Sequence, residues 1–364
     1  MSSPIRVLIV DDSALMRHRL SAIVGAAPGY EVAGAVANGA ACLAALPTLR
    51  PDIVTLDVEM PGMDGLDTLR ELMRVRPTPV VMVSSLTESG AATTLDALSL
   101  GAVDYLAKPS RVTADAGNPF SVELLHKLSI AAQVRHLRGA PTGPARPPRP
   151  LRPAAAAWRP ATAASSCEDA LVAIGSSTGG PQALDTLISS LPDTPRAALL
   201  IVQHMPPLFT RSLATRLARH TGLRVREVEE GDRPEAGLVL IARGGRHMIL
   251  GPDGRLRLDE SAPVHGVRPA IDLTWASIAE HWKGRCLAVV LTGMGCDGTE
   301  GARLLRARGA DVFAQDEGSS IVYGMPRAVA EAGLASAVLP LDELGPAIER
   351  WTSAARPVRI GAVS

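Results

Sequence analysis

Aromatic side chains are scarce in this 364-residue chain, with four tryptophans, three tyrosines and three phenylalanines, 3% of the sequence. Platforms that stack successive nucleic-acid bases need such rings, so their shortage argues against that class. Net charge is lacking as well. Thirty-seven Lys and Arg balance thirty-seven Asp and Glu, so no global field favours nucleic acid or an anionic membrane. The four cysteines, Cys42, Cys167, Cys286 and Cys296, are far apart and form no metal-type pair, a pattern that suits a reducing cytoplasm. No apolar run approaches the roughly 20 residues of a membrane helix. The first core strand is expected by Ile5, which leaves no room for a signal peptide. These absences lead us to expect a cytoplasmic protein with no direct membrane insertion and no nucleic-acid partner.

What is present is apolar residues, 46% of the chain, enough for sizeable cores in two domains. From Ile5 to about Arg138 short apolar runs alternate with amphipathic segments such as Ala14–Val24 and Leu66–Val75. Strands are expected at Ile5–Val10, Glu31–Ala35, Ile53–Leu56, Val80–Val83 and Val103–Leu106. This rhythm implies a parallel sheet covered by helices. From Gly139 to about Ser166 the sequence is rich in Pro, Ala and Arg without sustained apolar period, which reads as a semi-extended linker with solvated arginines. A second α/β rhythm begins near Ala170. Strands are expected at Leu171–Ile174, Ala198–Val202, Leu238–Ala242, Leu287–Leu291 and Val312–Ala314. A hairpin joins His247–Leu250 to Leu256–Leu258, and Trp275–Trp282 is expected to be helical.

In the first half, Asp11-Asp12, Asp57, Ser84 and Lys108 each follow one of the expected strands. Ligands bind open α/β sheets at that edge. Three carboxylates together suit a hard divalent cation such as Mg²⁺. With the cluster neutralised, Asp57 can attack a phosphoryl group, and Lys108 and Ser84 can hold phosphate oxygens. With VLIVDD, LDVEMPGMDG, VVMVSS and YLAKP in place, this half resembles two-component receiver domains. The resemblance implies a flavodoxin-like fold with strand order 2-1-3-4-5. It implies Asp57 as phosphoacceptor for a sensor histidine kinase, and Asp11, Asp12 and Asp57 with the Glu59 backbone carbonyl as Mg²⁺ ligands. Ser84 and Lys108 would read the phosphoryl group, and Tyr105 would report the conformational state.

In the second half, an apolar run ends in Gly175-Ser176-Ser177-Thr178-Gly179-Gly180. The spacing fits G-x-S-x-G, a turn that presents a nucleophilic serine. Such a turn can also cradle a phosphate with backbone N–H groups, although it lacks both the dinucleotide and the P-loop spacing. A serine needs a base. Of His204, His220, His247, His265 and His281, only His204 follows a long apolar strand as Ser177 does. For the orienting carboxylate, Asp297 and Asp316 both follow strands, and Asp272 is weaker at an expected helix onset. The loop around Met294 exposes N–H groups suited to an oxyanion hole.

The motifs AIGSSTGGP, VQHMPP, GGRHMILGPDG, VRPAIDLTW, LTGMGCDGTEG and AQDEGSSIVYGMPRAV resemble the chemotaxis receptor methylesterase (CheB) family. The resemblance implies a triad of Ser177, His204 and Asp297, assisted by Thr178 and the Met294 backbone. It implies hydrolysis of glutamyl methyl esters on chemoreceptors, deamidation of certain glutamines and no cofactor for the esterase. The triad's order, Ser-His-Asp, differs from the Ser-Asp-His order of α/β-hydrolases. Departures from the family pattern fall at Arg243, at Ala270 and within Val264–Arg268, away from the triad. The fold class expected is two-domain α/β: a flavodoxin-like receiver (1–138), a linker (139–168), a doubly wound, mostly parallel-sheet esterase domain (169–353) and a tail (354–364).

Overall fold

The computed structural model describes residues 3–85, 87–109, 119–138 and 170–354. The chain divides into two compact units, residues 1–146 and 147–364. The expected linker, Cys167 and the tail beyond residue 354 lie outside the described residues.

The first unit alternates strand and helix: β1 (Ile5–Val10), α1 (Ala14–Ala26), β2 (Tyr30–Val36), α2 (Gly39–Leu49), β3 (Ile53–Asp57), α3 (Gly65–Val75), β4 (Val80–Ser84), α4 (Glu88–Ser99), β5 (Asp104–Ala107) and α5 (Pro119–Arg138). The five strands pair in parallel in the order β2-β1-β3-β4-β5, the order expected of a receiver. Every residue of β3 and β4 is buried. That is why they read as continuous apolar runs: helices cover both faces of a parallel sheet. Ser13 accepts a hydrogen bond from the Met16 N–H and so starts α1 directly after the Asp11-Asp12 pair.

The second unit contains β6 (Ala170–Ser176), α6 (Gly180–Ser189), β7 (Ala198–Gln203), α7 (Phe209–Thr221), β8 (Arg224–Glu227), β9 (Leu238–Ile241), β10 (His247–Leu250), β11 (Leu256–Asp259), α8 (Ile271–His281), β12 (Arg285–Val290), α9 (Thr299–Ala307), β13 (Asp311–Gln315), α10 (Met325–Glu331), β14 (Ala337–Leu339) and α11 (Leu341–Ser353). Seven strands form one parallel sheet in the order β14-β13-β12-β6-β7-β9-β8, and β10 pairs antiparallel with β11 in a separate hairpin. From β6 the chain winds out through β7 to one edge, then returns to β12 and winds toward the other. The carboxyl ends of β7, β6 and β12 therefore lie side by side where the winding reverses, the place where open α/β sheets form a crevice.

Two strands carry no signal that the apolar pattern registers. Arg-Val-Arg-Glu of β8 is an edge strand with alternate residues exposed, where charge blunts further pairing. The three-residue β14 closes the opposite edge. Helix α8 also begins at Ile271, four residues before the apolar pattern suggests. The few aromatics serve the core, since Trp275, Trp351, Phe209 and Phe313 are among the largest fully buried side chains.

Candidate active site

Strand β6 carries Ser176 and delivers Ser177 to the carboxyl edge. Of the two hydroxyls, Ser176 is buried and donates to Gln203 Oε1 at 2.7 Å, whereas Ser177 is only half-buried. The turn needs its glycines. Gly179 adopts φ +77° as it hands the chain to α6, a conformation that L side chains rarely take. The positive end of the α6 dipole thus starts three residues after Ser177.

Strand β7 delivers His204 beside Ser177. The His204 N–H donates to the Ser176 carbonyl at 3.1 Å. Gln203, fully buried, donates from Nε2 to the Ser177 carbonyl at 2.9 Å and to the His204 carbonyl at 3.2 Å. One amide side chain thus fixes the backbone on both sides of the serine–histidine pair. Nothing in the sequence pattern singles out Gln203, because a polar residue at a strand end also reads as an ordinary boundary.

The imidazole meets a carboxylate from the loop after β12. His204 Nε2 lies 2.8 Å from Asp297 Oδ2, which leaves Nδ1 as the nitrogen available to a serine proton. Asp297 is buried and accepts from the N–H groups of Ile271 at 2.8 Å, Asp272 at 2.9 Å and Gly298 at 3.0 Å. Burial pushes the Asp297 carboxyl up, but the hydrogen bond and charge of His204 and the N–H groups of Ile271 and Asp272 outweigh it. The net position is below the ordinary carboxylate range. Among the described residues no hydrogen bond joins Ser177 Oγ to the imidazole, and such contacts commonly tighten only when substrate binds.

The other candidates have different partners. Asp316 accepts from the Ser319 N–H and hydroxyl at 3.0 and 2.6 Å, closing its own turn. His247 is buried in the hairpin. Its Nδ1 accepts from the Ala270 N–H at 3.1 Å, which leaves Nε2 to donate to the Ala262 carbonyl at 3.2 Å. His220 and His281 occupy the last turns of α7 and α8. Thr178 is buried, and its carbonyl accepts from the Thr292 hydroxyl at 3.0 Å. Met294 is 37% exposed on the loop after β12. A Cβ on its neighbour Gly293 would lie 2.8 Å from Ser177 Cβ, so this loop runs directly against the serine.

The first unit holds its own cluster at the carboxyl ends of β1, β3 and β5. Lys108 Nζ lies 2.7 Å from Asp57 Oδ2 and 3.0 Å from Asp11 Oδ2. Burial and the charge of Asp11 push the Asp57 carboxyl up to about 6, against the pull of Lys108 and the Glu59 N–H. Burial lowers Lys108, yet Asp57 and Asp11 together hold it above the ordinary lysine value. One oxygen from each of Asp11, Asp12 and Asp57 falls within 4.8 Å of the others. Three carboxylates against one ammonium leave excess negative charge, and the all-oxygen donor set fits a hard divalent cation. The Ser84 hydroxyl lies 3.2 Å from the carbonyls of Ser85 and Gly90, and the Glu59 carboxylate accepts from the Ser85 hydroxyl at 3.0 Å. Tyr105 is buried, with the Lys127 ammonium 5.3 Å from its ring centre.

Comparison with known proteins accounts for both units. A CheB methylesterase family model matches residues 172–348, and a response regulator receiver domain model matches residues 7–114. A Symbiobacterium thermophilum relative named protein-glutamate methylesterase/protein-glutamine glutaminase is 47% identical over 350 residues, 95% of this chain and 97% of its own. The chain belongs to the CheB methylesterase family. A Geobacillus kaustophilus relative with the same name is 44% identical over 94% of this chain and 97% of its own. The solved catalytic domain of Thermotoga maritima CheB is 44% identical, covers 50% of this chain and 97% of that one, and gives a TM-score of 0.48. As a CheB family member the chain is a hydrolase joined to a receiver domain, the module of phosphorylation control. No helix among the described residues is long and apolar enough to cross a membrane.

Proposed function

We propose that the chain is a phosphorylation-gated serine esterase that hydrolyses γ-glutamyl methyl esters on the cytoplasmic helices of chemoreceptors. The observation that carries the reading is the 2.8 Å contact between His204 and a buried, N–H-saturated Asp297, beside the strand end that presents Ser177. Ser177 attacks the ester carbonyl while His204 takes its proton. Asp297, ionised at neutral pH, stabilises the imidazolium that forms. N–H groups near Thr178 and Met294 receive the oxyanion, where one donor is typically worth roughly 3–4 kcal/mol of barrier. His204 returns the proton to departing methanol. Water then attacks the acyl-enzyme while His204 takes its proton, and His204 gives that proton to Ser177 Oγ as the acyl bond breaks and the receptor glutamate is released. An amide substrate releases ammonia by the same steps, which accounts for glutamine deamidation.

Control resides in the first unit. Asp57 accepts a phosphoryl group from a sensor histidine kinase; Asp11, Asp12, Asp57 and the Glu59 carbonyl would hold Mg²⁺, which supplies charge neutralisation for that transfer. Lys108 and Ser84 then bind the phosphoryl oxygens. Phosphorylation shifts a two-state equilibrium toward the open esterase, to the extent that the two states differ in their affinity for phosphate. The protein works in the cytoplasm, where receptor helices and kinase meet it.

Methanol release from methylated receptor, with and without a phosphodonor, tests both halves. Ser177→Ala is expected to abolish it, and retained activity would remove the assignment. Asp57→Asn is expected to stay at basal rate with kinase present. A fragment starting near Ser165 is expected to exceed the basal rate of the full chain; a slower fragment would show that inhibition is not the receiver's main role.

A further inference from the structure

Behind Asp297 stands a second carboxylate that the ester chemistry leaves unused. Asp272 lies in the first turn of α8. Its Oδ1 accepts from the N–H groups of Gly298 at 2.9 Å and Gly301 at 2.7 Å. The same Gly298 N–H lies 3.0 Å from Asp297 Oδ1, and the Asp272 N–H donates to that oxygen at 2.9 Å. The two carboxylates therefore share one donor at the amino end of α9. On its far side, Asp272 Oδ2 faces His265 Nε2 at 3.3 Å. One ligating atom from each of His265, Asp272 and Asp297 lies within 4.8 Å of the others.

His265 is held there by its backbone. It adopts φ +52° in a turn closed by reciprocal hydrogen bonds between Val264 and Val267, at 3.1 and 3.0 Å. A non-glycine residue in that region is uncommon, although histidine enters it more readily than most, and the surrounding turn holds the conformation. The imidazole meets a partly buried acid and itself stays half exposed.

We infer that Asp272 and His265 are positioning residues that set the basicity of His204 through Asp297, as an acid–imidazole pair placed behind the triad. This rests on the reading that Ser177, His204 and Asp297 carry the reaction. His204 must gain a proton as Ser177 attacks. Negative charge behind Asp297 favours the imidazolium and positive charge opposes it. Asp272 supplies the negative charge, and protonated His265 cancels it. The charged groups facing Asp272 are Asp297 from the loop before α9 and His265 from its turn, with His204 beyond Asp297. Helix α9 contributes N–H groups, and its Glu300 is engaged with Arg303 at 3.2 Å. Burial, together with the neighbouring Asp297 charge, raises the Asp272 carboxyl against the pull of the Gly301 N–H and His265, as expected where two acids share a site.

The test is the pH dependence of kcat/KM for methanol release by the full-length protein, using methylated receptor as substrate. Asp272→Asn keeps the acceptor over α9 and removes the charge, so the acid limb moves to lower pH. His265→Gln removes the opposing charge, so the limb moves to higher pH. His265→Lys fixes that charge and moves the limb down. Each shift is expected to be about half a pH unit or more. A merely structural role would lower rates or melting temperatures without opposite shifts in Gln and Lys variants. Profiles that superimpose on the parent's, or that move the same way in both His265 variants, overturn the inference. Ser177→Ala is assayed alongside. Its inactivity together with unshifted profiles removes the pair and leaves the triad reading standing, whereas an active Ser177→Ala removes the triad reading and the inference with it.

Discussion

Gln203 holds Ser177 by its main chain: Nε2 donates to the Ser177 carbonyl at 2.9 Å while Oε1 accepts from the Ser176 hydroxyl at 2.7 Å. The same Nε2 reaches the His204 carbonyl at 3.2 Å. Strand pairing alone brings β6 and β7 together over Leu171–Ser176 and Ala198–Gln203, but it stops where the chemistry starts. The amide extends the register by one residue past the sheet. Gln203→Leu strands the buried Ser176 hydroxyl and the His204 carbonyl, each costing about 1–3 kcal/mol when left unpaired, while the Ser177 carbonyl keeps the Gly180 N–H at 2.8 Å. We expect a lower melting temperature and a fall in kcat of about 10- to 100-fold with KM little changed, because misplacement by an ångström affects the reaction more than binding. Steady-state kinetics on methylated receptor check this; an unchanged kcat would reduce Gln203 to a packing residue.

Gly293 tests the other side of the serine. A Cβ there would meet Met325 Sδ and lie 2.8 Å from Ser177 Cβ. Main-chain hydrogen bonds fix this loop, from Gly293 N–H to the Val322 carbonyl at 3.0 Å and from Met325 N–H to the Gly293 carbonyl at 2.8 Å. It has little room to yield. Gly293→Ala is expected to cost about 1–3 kcal/mol through overpacking and to lower kcat by about 100-fold. Labelling by a serine-directed covalent probe gives the measurement; a labelling rate equal to the parent's would mean that the loop moves freely away from Ser177.

The contrast between Ser177 and Asp297 shows what the residue pattern carries and what it does not. Ser177 and His204 follow strands buried on both faces, and such strands read as unbroken apolar runs with an abrupt end. The same logic places Asp57 at the end of β3 and Ser84 at the end of β4. A third member cannot be found this way. Asp297 and Asp316 both follow apolar strands, and what separates them is which loop crosses to His204, a tertiary fact. Asp272 lies farther still from legibility. Its helix-onset position suggests capping of its own helix, yet its side chain serves α9, two elements away. Edge strands β8 and β14 escape for the opposite reason, since a charged or three-residue strand has no apolar period to show.

Asp297→Asn should separate two roles of one carboxylate. An amide can still accept the N–H groups of Asp272 and Gly298, but its NH2 facing His204 Nε2 would enforce the wrong tautomer, a change that costs about 10⁴-fold in kcat in serine hydrolases of this type. Stability should change as well. The folded Asp297 carboxyl lies below its ordinary value because His204 and the N–H groups of Ile271 and Asp272 outweigh burial. Its stabilising contribution is therefore present above about pH 4, the unfolded value, and is lost as pH falls through the folded value. Asp297→Asn is expected to melt lower than the parent at neutral pH, with the gap narrowing below about pH 4. A gap that stays constant down the acid range would mean that the loss is one of packing.

Asp57 should behave with the opposite sign. Burial and the charge of Asp11 raise its carboxyl to about 6, above the unfolded value of about 4. The folded receiver therefore binds a proton more tightly than the unfolded chain does, and the ionised group costs stability at neutral pH. That cost fades as pH falls through about 6. Asp57→Asn is expected to raise the receiver's melting temperature at about pH 7.5, and the gain should shrink toward about pH 5. Millimolar Mg²⁺ should reverse the order at neutral pH, because a cation among Asp11, Asp12 and Asp57 binds the folded, ionised parent and stabilises it by mass action. Melting curves at the two pH values, with and without Mg²⁺, decide the matter. A parent that gains no more from Mg²⁺ than Asp57→Asn does would remove Asp57 from the metal site.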